Sequence, residues 1–513
     1  MIMSAVDFHG YDASAGYTYG FCPEMAPDWL DLSAMLAGAA PARRDGEAPF
    51  RYLELGCGQG MGLCLLAAAN PQGQFVGVDF LPDHVAHARA VAQAAGLTNI
   101  QFSDGDFVAL AQQWPVDFGR FDYVSLHGVY SWITPPVRTA LVRCLGQATA
   151  SGGLVYIGYN AQPGWLGSMP FRHISRLLKE ESNQPSGAVM QASIGLFDRL
   201  AAGGANSFRI LPGLKSRLAA VKRQASNHLI HEYLHAGWHP LWHSEVAKEV
   251  AGEGLTFVGT ASLAETLLPG ALPPPLRATV EEQVSSVLRI DVQDLVINQS
   301  FRRDVFRPSS LWPTLAGDVV PEGKKIYLLK PVEGDSLTIA TSFSEIILQA
   351  PAYAEIVSAL DAGGRSVGEL LALPAMRKQG RSNALQIMAL LLHARIVGVG
   401  RSAPAPIRAV QGLNRFIAEE ASRGRRYDHL AAASLGSAVV ATADDLRLLD
   451  AWLAAKGRID AKSLAATCAD KPMGDQGAPA DGQTAITPDR AAAFLNQTLP
   501  RWRKLGAVAQ GQA

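Results

Sequence analysis

The stretch Arg51-Tyr52-Leu53-Glu54-Leu55-Gly56-Cys57-Gly58-Gln59-Gly60 decides the fold. A β-rich run passes directly into three glycines at alternate positions, and an apolar helical pattern follows from Met61. Glycines are needed where backbone must turn sharply and let a ligand approach with no Cβ in the way. Working outward, the runs 74–79 (QFVGVD), 99–104 (NIQFSD), 121–127 (FDYVSLH) and 152–159 (GGLVYIGY) read as further strands. Between them lie helical patterns such as Asp83 to Ala95, in which Val85, Ala88, Val91 and Ala92 share one face. Strand–helix alternation from Phe50 to Asn160 predicts an α/β fold with a doubly wound, mostly parallel sheet.

The glycine spacing differs from the dinucleotide pattern G-x-G-x-x-G, which serves a pyrophosphate. The third glycine comes one position early, at Gly60, and Met61 occupies the NAD-type position. Glu54 stands just before the loop. An acid there suits a ligand with a cationic amino-acid end and no phosphate, such as S-adenosylmethionine (SAM). The next strand ends in Asp79, nineteen residues past Gly60, where a carboxylate can accept both hydroxyls of a ribose. The third ends in Ser103-Asp104-Gly105-Asp106-Phe107. Asp106 is the better candidate for an adenine amino group, with Phe107 packed on the ring. The expected cofactor set is therefore Glu54, Gly56, Gly58, Gly60, Asp79, Asp106 and Phe107, joined by His127 at the methionine end.

The span 50–160 resembles the class I SAM-dependent methyltransferases, whose loop reads E/D-x-G-x-G-x-G. YDASAGY (11–17), HGVYSW (127–132), YNAQPGW (159–165) and HEYL (231–234) narrow the resemblance. They are similar to bacterial methyltransferases carrying a methyltransferase regulatory domain, which include the rickettsial protein-lysine methyltransferases of outer-membrane proteins. The resemblance covers most of residues 11–400. It implies a Rossmann-like class I fold, SAM as cofactor with no metal, and methyl transfer to a nucleophile, with a protein lysine amine favoured. One departure is GYTYGF at 16–21, where the family tends to have P-Y-x-S.

Methyl transfer from a sulfonium requires nucleophile, methyl and leaving sulfur in line, water excluded, and an amine acceptor uncharged. Ligands of open α/β sheets sit beyond the carboxyl ends of the strands. The loops after the fourth and fifth strands hold His127 and Tyr130 as candidate catalytic groups. Tyr130, Trp132, Tyr159, Asn160 and Trp165 are candidate walls for the acceptor, and Tyr11, Tyr17 and Tyr19 candidate lid residues. Core packing is the competing reading for each aromatic. A small-molecule N-, O- or C-methyltransferase and a non-catalytic SAM-binding regulator stand as alternatives.

At 513 residues the chain exceeds one ordinary core. Its 48 % hydrophobic content excludes wholesale disorder, and a net charge of −1 argues against coating a polyanion. The five cysteines are unpatterned, as reduced thiols would be. The start has no basic n-region and the chain no long apolar run, so a cytoplasmic protein without a membrane partner is expected. The texture divides into a SAM-binding core (1–165), a regulatory region (166–318), a winged-helix-like module (325–400) and an Ala-rich helical region (401–513) with a linker at 472–488. Within the second, helices from Pro170 to Trp238 are expected as an insertion, and runs 255–261 and 300–306 as strands completing the sheet. In the third, three helices beginning at residue 343, one of them opened by a capping box at Ser366 and Glu369, should precede a β-ribbon wing at 395–401.

Two features invite other chemistry. His231-Glu232-Tyr233-Leu234-His235 matches the zinc pattern H-E-x-x-H, with His228, His239 and His243 nearby. Pro240 limits the helix and no third ligand has the usual spacing, so no metal is expected. Arg423-Gly424-Arg425-Arg426 makes the C-terminal part locally basic, yet substrate positioning or a homodimer fits that region better than nucleic acid.

Overall fold

A computed structural model describes residues 19–43, 46–223, 226–235, 237–309, 323–469 and 486–509. Tyr11, Tyr17, the YDASAGY motif and nearly all of the expected linker lie outside these residues. So do the side chains of His228 and His231.

After α1 (Pro27–Leu36), five strands alternate with helices: β1 (Phe50–Leu55), α2 (Met61–Ala69), β2 (Gly73–Asp79), α3 (Pro82–Ala94), β3 (Ile100–Asp104), α4 (Phe107–Gln112), β4 (Phe121–His127), α5 (Pro135–Ala148) and β5 (Thr149–Asn160). An insertion follows, of α6 (Met169–Glu180), α7 (Ser186–Ala202), α8 (Asn206–Ile210), α9 (Pro212–Val221) and α10 (Ser226–Leu234). The chain then makes α11 (His243–Ala251), β6 (Leu255–Thr260), α12 (Pro274–Glu281), α13 (Ser286–Ile297) and β7 (Phe301–Pro308). These strands form one seven-stranded sheet in the order β3-β2-β1-β4-β5-β7-β6. β7 runs antiparallel to both neighbours, and the first five strands are parallel. The two late runs complete the sheet, as expected from their composition. Leu55 pairs with Val78, Asp79 with Asp104 and His127 with Gly158, so the carboxyl ends of β1 to β5 meet along one edge.

β1 is buried along almost its whole length because helices cover both faces of a parallel sheet. α2 is apolar all round, and every residue except Gly62 is buried. Such a helix needs cover on its outer side as well. That cover comes from the far end of the chain: α18 (Arg408–Ser422) and the hairpin of β13 (His429–Ala432) and β14 (Ser437–Val440) pack on α2. Asn70 ties the contact, its side-chain amide donating to Leu66 O at 2.9 Å and Gly436 O at 2.7 Å.

Beyond residue 323 the elements are β8 (Lys325–Leu328), β9 (Ser336–Ala340), β10 (Glu345–Gln349), α14 (Ala350–Asp361), β11 (Arg365–Ser366), α15 (Val367–Leu371), α16 (Pro374–Gln379), α17 (Arg381–His393) and β12 (Val397–Gly400). α15 opens with the capping box expected at Ser366 and Glu369. The winged-helix expectation needs correction at two places. Residues 345–349 are a strand paired with β9, not a helix. Residues 395–401 supply one strand, β12, which pairs with β8 from upstream of the helices. A wing requires a local ribbon, and here β12 finds a non-local partner instead. The final region is not purely helical: α18 (Arg408–Ser422) leads to β13 (His429–Ala432) and β14 (Ser437–Val440), then α19 (Ala443–Ala454) and α20 (Ala461–Ala469). No helix among the described residues is long and apolar enough to cross a membrane.

Candidate active site

The turn after β1 is held from below. Gly56 N and Cys57 N donate to Val78 O at 2.7 and 3.0 Å. Gly60 has φ +75° and opens α2; a Cβ there would lie 2.4 Å from the Ala88 Cβ and 2.9 Å from the Phe102 ring. Glycine is thus required by conformation and by space. Asp79 is buried at the end of β2, with one carboxylate oxygen accepting from Gly58 N at 2.8 Å and the other from Leu81 N at 3.0 Å. His84 Nδ1 stands 3.3 Å from the same carboxylate. Asp79 therefore clamps the glycine loop, and its remaining lone pairs are what a ribose diol would meet.

Asp106 caps α4, accepting from Val108 N at 2.6 Å and Ala109 N at 3.1 Å. Phe107 departs from its expected place: it is buried in the apolar core that contains Leu53, Val76 and Leu126. Its position on the first turn of α4 turns the ring toward the sheet.

The loop borders a cavity of about 240 Å3, walled also by Glu54, Met61, His127 and the segment Tyr19–Cys22. Burial, and after it the Asp79 carboxylate, push the Glu54 pKa up to about 8. His127 ends β4 between Tyr156 and Phe301, with ring centroids 6.0 and 5.2 Å away. Its Nδ1 lies 2.9 Å from the Tyr156 hydroxyl. Burial first, then Arg303, push its pKa down to about 4 against the pull of Glu24. The imidazole is therefore neutral at pH 7.

The segment 19–25 was legible only at Tyr19. It is held by the C-terminal region: Arg425 donates to the Tyr19 hydroxyl at 2.8 Å, Tyr427 packs edge-on to Tyr19 at 5.0 Å, and His429 packs on Phe21 at 5.2 Å. Arg425, one of the basic cluster, thus holds Tyr19 in the wall of the cavity. Cys22, Glu24, Tyr156 and Phe301 also belong here. None carried a sequence signal, because each is brought in from a distant part of the chain.

Asp79 and Asp106 do not line this cavity, and the remaining predicted site residues are not brought to it either. Tyr130 is fully buried and donates to Glu249, which Arg138 holds from the other side at 3.0 Å. Its expected catalytic role is corrected by that geometry, since its one proton is committed to the partly exposed Glu249–Arg138 ion pair. Tyr159 donates to Asp304 Oδ2 at 2.7 Å. Asn160 is fastened through its main chain, N–H to Ser131 Oγ at 2.8 Å and carbonyl to Leu241 N at 3.0 Å. Trp165 donates to Ser300 O at 2.8 Å and meets Trp238 edge-on at 4.9 Å. Trp132 packs on His235 at 5.7 Å. These five brace the insertion and the far face of the sheet.

Of the histidine ladder, Glu232, His235 and His243 are taken up by packing and local hydrogen bonds. Glu232 is buried, which pushes its pKa up to about 7 against the pull of Arg217. His235 accepts from Gly237 N at 3.0 Å, and His243 Nδ1 meets Asp304 at 2.9 Å. Among the described residues no group of three or more His, Cys, Asp or Glu is placed to hold a metal ion.

Residues 47–183 match the family described as a methyltransferase domain, and residues 225–307 a predicted methyltransferase regulatory domain. The chain is 32 % identical over 398 residues to the uncharacterized Synechocystis protein sll1526, covering 77 % of this chain and 76 % of that protein. It is 25 % identical over 253 residues to RP789 of Rickettsia prowazekii, covering 49 % and 45 %. The fold matches PKMT2 of Rickettsia typhi in complex with AdoHcy, with a TM-score of 0.67 and 16 % identity, over 96 % of this chain and 99 % of that one. A strand order of 3-2-1-4-5-7-6, an acid-preceded glycine loop and acids closing β2 and β3 agree with these matches: the chain belongs to the class I SAM-dependent methyltransferases that carry a methyltransferase regulatory domain.

Proposed function

We propose that the methyl acceptor is the side-chain amine of a protein lysine. The observation that carries this reading is the cavity itself. At about 240 Å3 it is smaller than the roughly 300–1,000 Å3 of pockets that enclose a whole small ligand. The cavity is open to solvent on one side, so with the methionine end of SAM against Glu54 and the glycine loop the acceptor would enter from outside. A slender side chain entering from outside fits what remains. Among the described residues no lysine or arginine lines the wall, so an arriving amine meets the His127 ring there rather than a basic side chain. The R. typhi protein of the same fold bears the name PKMT2. Incubation with radiolabelled SAM and a host-cell lysate tests the reading: label is expected in protein and, after hydrolysis, in methylated lysine. Label confined to small molecules would overturn it.

Glu54 makes the cofactor step pH-dependent. Its raised pKa means that near pH 7 the free site is mostly protonated, whereas a cationic ammonium favours the carboxylate. Binding must then expel a proton, so affinity for SAM should rise with pH from about 6 to 8, by at most about tenfold per unit. The fold itself moves the opposite way. An acid raised in the native state loses stability as pH rises from the ordinary carboxylate range to about 8. Calorimetric titration in buffers of different ionisation enthalpy should detect the released proton, and Glu54→Gln should flatten the slope. A wild-type affinity independent of pH would count against this role.

A further inference from the structure

Three side chains beside the cavity have no place in the cofactor site as described, yet they touch one another in a row that ends on His127. Glu24 is held by Arg395 Nη2 at 2.6 Å and Arg303 Nε at 3.8 Å. Cys22 Sγ lies 3.1 Å from Glu24 Oε2 and 3.6 Å from the Tyr156 hydroxyl. That hydroxyl lies 2.9 Å from His127 Nδ1. Segment, strand and ring come from residues 22–24, β5 and the end of β4, so the row exists only in the folded chain.

From this geometry we infer that Glu24, Cys22 and Tyr156 form a one-way hydrogen-bond chain that holds His127 as its Nδ1–H tautomer and leaves Nε2 as an acceptor at the cavity wall.

Each link follows from the one before. Two guanidinium groups keep Glu24 ionised against the opposing effect of burial, and a carboxylate only accepts. Cys22 must therefore donate to it. Burial, reinforced by Glu24, raises the thiol pKa to about 12, so that proton stays on sulfur. With its one hydrogen committed to Glu24, Cys22 can only accept from Tyr156. Tyr156 in turn spends its one hydrogen on Cys22, so its oxygen accepts from His127 Nδ1–H. A neutral imidazole with Nδ1 protonated has its lone pair on Nε2. No described residue hydrogen-bonds Nε2, and the ring lines the cavity.

The consequence concerns acceptor selection and rests on the methyl-transfer reading above. An Nε2 lone pair orients a group that brings an N–H or O–H, as an uncharged amine does, and offers nothing to an acceptor-only group. His127 takes no proton in this role. Its pKa of about 4 suits a hydrogen-bond acceptor and not a strong base. Cys22, Glu24 and Tyr156 are positioning residues acting through it.

The tautomer is directly measurable. In 15N-histidine-labelled full-length protein, with His127 assigned through His127→Gln, long-range 1H–15N spectra should show a pyrrole-type Nδ1 and a pyridine-type Nε2. Tyr156→Phe removes the hydroxyl and Cys22→Ala removes the link to Glu24. Both should shift His127 toward the Nε2–H form, while Cys22→Ser, which still donates and accepts, should retain Nδ1–H. Glu24→Gln, whose amide can donate or accept, should populate both forms. Circular dichroism checks folding, and Cys22→Ala keeps the test decisive if Tyr156→Phe does not fold. An Nε2–H resonance in the wild type, or a tautomer unchanged in both Tyr156→Phe and Cys22→Ala, would overturn the inference. SAM binding on the same sample reads separately: its absence would remove the methyl-transfer reading while a wild-type Nδ1–H resonance would still support the chain.

Discussion

Replacing Asp304 by Ala should cost about 3–5 kcal/mol of folding stability, the range for breaking one member of a buried ion network. Asp304 is completely buried on β7 and serves three elements at once. Its carboxylate takes the Tyr159 hydroxyl from β5 at 2.7 Å, His243 Nδ1 from α11 at 2.9 Å and Arg302 Nε at 2.9 and 3.1 Å. Arg302 reaches on to Asp294 of α13 at 2.6 Å. Removing the carboxylate leaves Arg302 with one carboxylate partner instead of two and strips the buried Tyr159 hydroxyl and His243 Nδ1 of their partner. Burial would raise the Asp304 pKa, but Arg302 and then His243 override it and hold the group well below the ordinary carboxylate range. A depressed pKa contributes stability that is complete above about pH 4 and is lost as pH falls through the depressed value. Urea unfolding at neutral pH would measure the loss, and Asp304→Asn, which keeps volume and some hydrogen bonds, should fall between. A change below about 1 kcal/mol for Asp304→Ala would show that the network is not what fastens β7 into the sheet.

Gly60→Ala should have the largest effect on cofactor binding. The left-handed backbone at φ +75° costs an L-residue about 1–2 kcal/mol. The new methyl would also lie 2.4 Å from the Ala88 Cβ on α3 and 2.9 Å from the Phe102 ring on β3. A Cβ cannot rotate away, so α3 or the loop must shift, at roughly 1–3 kcal/mol more. The loop that moves is the one Asp79 clamps through Gly58. At 1.4 kcal/mol per tenfold, a displacement of that cost lowers SAM affinity by at least about thirtyfold. Isothermal titration would show it, with thermal unfolding reporting a lower Tm. Wild-type affinity in the variant would mean that the loop tolerates a side chain and is not the binding element.

Much of the cofactor half was legible because its signals are local. β1 to β5 announce themselves through short apolar runs, the turn through its glycines, and Asp79 and Asp106 through their place at strand ends. Even β6 and β7 were readable as strands, since composition reports a strand wherever it pairs. The acceptor half was not legible. Tyr130, Trp132, Tyr159 and Trp165 follow strand ends just as channel walls would, and an aromatic side chain reads the same whether it faces a ligand or a core.

What the residue order determined by itself was the alternation that builds the sheet and the chemistry needed where β1 turns into α2. Both depend on neighbours a few positions apart. What only the tertiary structure decided was which side chains meet at the cavity. Tyr130 is claimed by Glu249 from 119 residues away, Tyr159 by Asp304 from 145, and Cys22 reaches Tyr156 across 134. Tyr19 is held by Arg425, 406 residues on. A hydroxyl has one proton to give, and burial makes leaving it ungiven costly. Its partner, and with it the residue's role, is therefore settled by whatever the completed fold places within 3 Å.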